Sequence, residues 1–338
     1  MTYQEVLENA RKTIKNCKAC PECNGLACGA TMPGPGSKAG GAHENWKAWR
    51  QYKLNIDTFA PNTAVDTSFS LFGKEFSLPL LTGPIGTMLQ YSDSDVTVGF
   101  NDGVIRAAAE AGIIACFGDG LAPQTMPGAL SSMERHGAAV IPVLNPLPNQ
   151  VILEKLKKIE PTSAFAVSVV VDSAGLGHWK HISRDEGPGS KTVEDLQLLK
   201  AHTAKPFIVK GIMTARAAEK AVEAGADAIM VSNHGGRVLA DAPATAQVLP
   251  EIVQAVGGRT KVIVDGGIRS GGDMFKALAL GADAVLICRP IAVSWFGGGS
   301  EGVRVYIDKL QAEFAEAMYM CGARKLSDIT AEMIRYQK

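Results

Sequence analysis

Eight short apolar runs, repeated from residue 79 onward, constrain the fold of this chain more than any other feature. They lie near residues 79–82, 112–117, 139–144, 165–171, 206–210, 227–232, 261–265 and 283–288. None alternates apolar with polar residues, which is the pattern of strands buried on both faces. Helical segments fall between them at 102–111, 149–158, 192–201, 214–224, 245–256 and 271–280. One pair of repeats is visible directly: Gly225-Ala226-Asp227-Ala228-Ile229-Met230-Val231 and Gly281-Ala282-Asp283-Ala284-Val285-Leu286-Ile287 share one register. Eight strand–helix units predict an α/β fold closed into a parallel (β/α)8, or TIM, barrel. An open doubly wound sheet rarely runs to eight such regular repeats. A barrel takes about 250 residues plus insertions, so a chain of 338 residues holds one barrel and an extension.

The extension is read as residues 1–60 and the barrel as 61–338, ending in C-terminal helices over 303–338. Residues 1–16 suit a short amphipathic helix. Cys17, Cys20, Cys23 and Cys28 follow, and then a Gly/Pro-rich stretch from Met32 to Gly41 that excludes regular structure. Two successive two-residue spacings among cysteines curl backbone around a centre. An iron–sulfur cluster is the first expectation for these four, with zinc and no stable metal as equal alternatives. Cys116, Cys288 and Cys321 lie in apolar segments and read as small buried hydrophobes.

Lys and Arg number 34 and Asp and Glu 34. That balance speaks against nucleic acid or an anionic membrane as the main partner. No apolar run reaches the roughly 18 residues needed to span a bilayer, and the N-terminus lacks the basic-then-apolar pattern of a signal peptide. A cytoplasmic location is the expectation, and disulfides are not expected there.

Chemistry in such a barrel sits at the C-terminal ends of the strands. The fifth run ends in Val209-Lys210-Gly211, placing a lysine at the mouth. The sixth ends in Ser232-Asn233-His234-Gly235-Gly236-Arg237. His234 can act as a base near neutral pH, and Arg237 offers a fork that matches a carboxylate. The seventh ends in Asp265-Gly266-Gly267-Ile268-Arg269-Ser270 and the eighth in Cys288-Arg289-Pro290. Glycine-rich loops after strands 7 and 8, each with an arginine, predict a phosphate site.

These words, with Val209-Lys210-Gly211-Ile212 and Lys276-Ala277-Leu278-Ala279-Leu280-Gly281-Ala282, resemble the FMN-dependent 2-hydroxy-acid dehydrogenase/oxidase family, which includes lactate and glycolate oxidases. The resemblance is close over residues 205–330. It implies FMN as cofactor and oxidation of a small, lactate-like 2-hydroxy acid to the 2-oxo acid. It places Lys210 beside the flavin and His234 as acceptor of the substrate proton. Arg237 would bind the substrate carboxylate, and Asp172, ending strand 4, would orient the histidine. Pro84, Ile85 and Gly86 would lie against the ring. Asp265, Gly266, Gly267, Arg269, Cys288 and Arg289 would hold the ribityl and phosphate.

The chain departs from the family on the substrate side. The family's second carboxylate-binding arginine, after strand 4, falls at about His178 in this sequence. Its strand-3 Gln and Tyr fall near Pro142 and Leu144, and its N-terminal tyrosine falls in the tyrosine-free stretch 33–41. The expected partners are a small carboxylate substrate, an electron acceptor of open identity, and further copies of the chain in a homo-oligomer. Three other readings remain: a non-redox FMN barrel with isomerase chemistry, a flavin oxidoreductase acting on a substrate other than a hydroxy acid, and a phosphosugar-binding barrel without flavin.

Overall fold

The structure is a computed structural model that describes residues 1–26, 40–120, 122–175, 187–239 and 241–337. Its centre is an eight-stranded parallel sheet: β4 (Leu80–Thr82), β5 (Ala115–Gly118), β6 (Val140–Leu144), β7 (Val167–Val170), β8 (Phe207–Ile212), β9 (Ala228–Val231), β10 (Lys261–Val264) and β11 (Ala284–Ile287). Neighbours run β4-β11-β10-β9-β8-β7-β6-β5. A parallel bridge between Leu81 and Ile114 joins the two ends, and Thr82 N donates to the carbonyl of Ile114 at 3.0 Å. All eight runs predicted from sequence are strands of this barrel.

Two buried clusters show why those runs carry no polar alternation. Leu81, Cys116, Val143, Val170, Ile208, Met230, Ile263 and Leu286 belong to one, the barrel interior. Their sequence neighbours Leu80, Phe117, Leu144, Val169, Val209, Val231, Val264 and Val285 belong to the other, between strands and helices. Each strand thus buries both faces, at roughly 1.5–3 kcal/mol per large side chain. A hairpin of β2 (Phe69–Leu71) and β3 (Lys74–Phe76) adds Phe69, Leu71 and Phe76 to the interior cluster. Phe76 meets Phe165, which precedes β7, edge to face at 5.3 Å, so the hairpin closes the N-terminal end of the barrel.

The helices are α1 (Tyr3–Thr13), α2 (Gly40–Arg50), α3 (Thr97–Ala111), α4 (Thr125–His136), α5 (Asn149–Ile159), α6 (Val193–Lys200), α7 (Ala215–Glu223), α8 (Thr245–Val256), α9 (Gly271–Ala279) and α10 (Arg289–Met320). Local chemistry sets several starts. Thr2 and Glu5 form a capping box on α1, and Ser270 caps α9 through Asp273 N. The long α10 breaks at Gly298 and Gly299.

The C-terminal expectation needs correction. The helix that follows the break at Gly298 and Gly299 runs only to Met320, and the chain then forms β12 (Ile334–Tyr336), paired antiparallel with β1 (Tyr52–Leu54). At the end of the Gly/Pro-rich stretch α2 starts at Gly40, so its last two residues are helical; residues 32–39 lie outside the described residues. Among the described residues no helix is long and apolar enough to cross a membrane.

Candidate active site

The period of two along each strand builds the site. Two residues beyond the interior positions Val170, Ile208, Met230, Ile263 and Leu286 stand Asp172, Lys210, Ser232, Asp265 and Cys288. The apolar interior therefore ends in a polar rank at the C-terminal face.

Lys210 is 4% exposed. Its ammonium donates to Ser232 Oγ at 2.7 Å, which donates to Asp265 Oδ2 at 2.8 Å. The ammonium also lies 3.2 Å from that oxygen. Burial alone would lower the lysine's pKa. The charges of Asp265 and Asp172 outweigh burial and hold it above its ordinary value.

Nδ1 of His234 lies 3.0 Å from Oδ1 of Asp172. Burial pushes the carboxyl up, but His234 by charge and hydrogen bond, and Lys210 by charge, bring it below its usual range. His234 itself has φ +58, a left-handed conformation that costs a non-glycine residue about 1–2 kcal/mol. Its N–H donates to Ser232 Oγ at 3.1 Å, tying the strained residue to the Lys210–Asp265 cluster. With Nδ1 committed to a carboxylate, Nε2 is left as the basic nitrogen.

Arg237 follows on the same loop. Burial pulls its pKa down, and among the charges it feels are Tyr91, Arg289 and Asp172. Tyr91, on the loop after β4, was not singled out from sequence. Burial raises its hydroxyl pKa, while Arg237 and then Arg289 pull the other way. No periodic pattern marks that loop, so only the fold shows which charges surround it.

The extension completes the mouth. Asn45 of α2 and Asn233 exchange side-chain hydrogen bonds of 2.7 and 3.0 Å, and Trp49 donates to the Gly266 carbonyl at 2.7 Å. Gly267 at φ +82 admits this helix: a Cβ there would lie 2.2 Å from the Asn45 carbonyl oxygen. The signal was present in sequence, since Ala42, Asn45, Ala48 and Trp49, all buried, share helical spacing.

The two arginines of the predicted phosphate loops have different partners. Arg289 donates to the Gly235 carbonyl. Arg269 donates through Nε to the Cys23 carbonyl at 2.7 Å, through Nη1 to the Ile268 carbonyl at 2.7 Å, and through Nη2 to Cys23 Sγ at 3.8 Å. Burial raises the Cys23 thiol, but Arg269 and then Arg289 outweigh it and leave the thiol below its ordinary value. Cys288 Sγ packs near the Pro84 carbonyl at 3.9 Å, so the loop of Pro84, Ile85 and Gly86 meets the end of β11. Burial raises the Cys288 thiol.

Among the described residues, no group of three or more His, Cys, Asp or Glu side chains is arranged to hold a metal. Cys23 is turned to Arg269 instead. Cys28 and His178 lie outside the described residues.

The mouth suits the flavin that the sequence implies. Asp265 Oδ1 and Asp172 Oδ2 are buried acceptors with no hydrogen-bond partner among the described residues, a costly state that a hydroxyl-bearing ligand would relieve. A ribityl chain supplies such hydroxyls, and Arg269 and Arg289 supply charge for a phosphate.

Residues 34–186 and 147–336 match the model of the FMN-dependent dehydrogenase family, and the chain belongs to that family. It is 46% identical over 189 residues to the peroxisomal (S)-2-hydroxyacid oxidase GLO3 of Arabidopsis thaliana, a match over 56% of this chain and 51% of that protein. In this and other such matches the chain spans about half or less of the relative's length. It is 31% identical to 2-hydroxyacid oxidase 2 of Bos taurus, over 87% of this chain and 90% of that protein. A crystal structure of mandelate oxidase superimposes with a TM-score of 0.83 at 26% identity, covering 100% of this chain and 99% of the other.

Proposed function

We propose that the protein is an FMN-dependent oxidoreductase that converts a small 2-hydroxy acid to the 2-oxo acid. The observation that carries this reading is the His234–Asp172 pair at 3.0 Å, standing beside the buried Lys210–Ser232–Asp265 cluster at the barrel mouth. A base oriented by a carboxylate, next to a fixed buried cation, suits removal of a proton from a substrate whose electrons leave toward that cation.

When bound, FMN would supply a two-electron acceptor for the oxidation. The chain does the rest. Arg237 fixes the substrate carboxylate through paired N–H donors, which sets the reacting carbon relative to His234. Nε2 of His234 takes the substrate proton. Asp172 holds the ring in one tautomer and stabilises the imidazolium that results. The Lys210 ammonium, kept charged by Asp265 and Asp172, counters negative charge on the cofactor. Asp265, Gly266, Gly267, Arg269, Cys288 and Arg289 would hold the ribityl and phosphate, with Pro84, Ile85 and Gly86 on the ring. The lactate-like size of the substrate rests on the resemblance alone.

The test is an anaerobic absorbance titration of the purified protein with a panel of 2-hydroxy acids. The visible flavin band should bleach without any other reductant. A yellow protein that no 2-hydroxy acid bleaches would leave an FMN barrel of other chemistry, and a colourless protein that takes up no FMN would remove the flavin as well.

A further inference from the structure

We propose that Cys20 and Cys23 form a reversible dithiol–disulfide pair that is coupled, through Arg269, to the phosphate side of the cofactor site. The proposal rests on the FMN reading above, because it takes Arg269 as a phosphate ligand.

Cys17, Cys20 and Cys23 line one cavity of about 110 Å³, together with Arg269 and Ser270 from the loop after β10 and Pro290 from the first turn of α10. The cavity thus adjoins both loops of the predicted phosphate site. None of these three cysteines is in a disulfide, and all are half-buried rather than sealed in the core. Cys23 touches Arg269 twice, through its carbonyl at 2.7 Å and its sulfur at 3.8 Å. A partly exposed thiol beside a guanidinium is the setting in which cysteine becomes a nucleophile. The sequence supplies a second thiol at the right distance along the chain: Cys20-Pro21-Glu22-Cys23 has the Cys-x-x-Cys spacing, in which one thiol attacks and the other resolves.

The chemistry balances with a small disulfide of the glutathione class as oxidant. The Cys23 thiolate attacks one sulfur of that disulfide, forming a mixed disulfide and releasing one thiolate. Cys20 then attacks the Cys23 sulfur, closing the internal disulfide and releasing the second. Two protein thiols lose two electrons, the external disulfide becomes two thiols, and these carry away the two protons.

The consequence lies at Arg269. A guanidinium has five N–H donors, and Cys23 and the Ile268 carbonyl engage three of them. Those contacts hold the side chain in place and leave donors for a phosphate. Closing the disulfide would take the Cys23 sulfur away from Nη2, so the guanidinium would keep its two carbonyl bonds but lose the contact on its Nη2 edge. Coupling is reciprocal, so bound FMN should keep the pair reduced.

The full-length protein, with and without FMN, is equilibrated anaerobically across a series of reduced-to-oxidised glutathione ratios. It is then quenched, alkylated and read by mass spectrometry, with FMN content recorded by absorbance. The expected result is loss of two hydrogens from a Cys20–Cys23 linkage. The midpoint should move about tenfold toward more oxidising ratios when FMN is bound, the loss expected for one charged hydrogen bond. Cys20→Ser should stop at a glutathione adduct on Cys23. A Cys17–Cys23 linkage, an adduct on Cys17 in preference to Cys23, or stoichiometric iron or zinc in the purified protein would overturn the proposal. FMN binding with an unmoved midpoint would overturn it and leave the flavin reading standing. Failure to bind FMN in any thiol state would remove both.

Discussion

A methyl group on Gly211 would lie 2.7 Å from both Cβ and Cγ of Asp172. Gly211 sits at φ +106, where the pairing of β8 with β9 shifts between Lys210 and Ile212. The bulge sets Lys210 against Ser232 and opens the space in which the Asp172 carboxylate reaches His234.

Gly211→Ala should therefore push Asp172 off His234 and strain a backbone that alanine rarely adopts. The expected outcome is a fall in kcat of about 10²-fold, the lower end of the range for a disabled general base. FMN should stay bound, since its phosphate loops lie on other strands. Steady-state rates corrected for flavin absorbance check this. Near wild-type kcat at full flavin content would show that Asp172 needs no fixed place.

His234 and Arg237 share a loop but should fail differently. His234→Ala should give a yellow protein that substrate no longer bleaches, because removing a general base costs about 10²–10⁴ in rate. Arg237→Met should raise KM by about 30-fold or more, from a loss of roughly 2–5 kcal/mol on a buried carboxylate, and Arg237→Lys should recover part of it. An unchanged KM in Arg237→Met would mean that the substrate carboxylate is not held there.

What the sequence made legible follows from where burial is two-sided. All eight strands announced themselves because both faces of each are packed. The strand ends were legible for a related reason: Lys210, Ser232, Asp265 and Cys288 continue the inward period just where apolar residues stop. Elements made by distant partners were not. β12 exists because it pairs with β1, from Ile334 opposite Leu54 to Tyr336 opposite Tyr52, and nothing local marks either segment. α4 begins Thr125-Met126-Pro127-Gly128, which reads as a turn, although proline is tolerated in a first helical turn. The Cys23–Arg269 contact joins residues 246 apart. The cysteine spacing, read alone, pointed to a metal.

The Lys210 cluster predicts opposite pH limits for two groups. The folded pKa of Lys210 is raised by Asp265 and Asp172 against burial, above an unfolded value of about 10.4. Its contribution is whole below about pH 10 and fades as pH rises through the folded value. Asp172 is lowered by His234 and Lys210 against burial, below an unfolded value of about 3.9. Its contribution is whole above about pH 4 and fades as pH falls through the folded value. Lys210→Met should be less stable than wild type by about 3 kcal/mol near neutrality, the cost of breaking a buried pair, with the gap closing in alkali. For Asp172→Asn the gap should close in acid. Urea unfolding at a series of pH values measures both, and gaps independent of pH would refute the assignment.

Tyr91 provides the last test, because it separates the substrate side of the site from the flavin side. The family's tyrosines are absent from the positions where they were sought, at Leu144 and within 33–41. Tyr91 reaches the same electrostatic neighbourhood from another loop, held there by the bond from Lys15 N to its carbonyl at 2.9 Å. Its hydroxyl feels the charges of Arg237 and Arg289, and we predict that it donates to the carboxylate that the proposed function assigns to Arg237. The hydroxyl is protonated at neutral pH, as any tyrosine is, and burial moves its pKa further up, so it stays in the form that donates. Losing one such bond to a charged acceptor costs roughly 1.5–3 kcal/mol. Tyr91→Phe should therefore raise KM by about tenfold or more, with kcat within about threefold, since the proton goes to His234. The flavin spectrum and FMN affinity should not change. A large fall in kcat at unchanged KM would make Tyr91 part of the proton path. Unchanged values of both would leave the carboxylate to Arg237 and to His178, the other residue that the sequence offers for it.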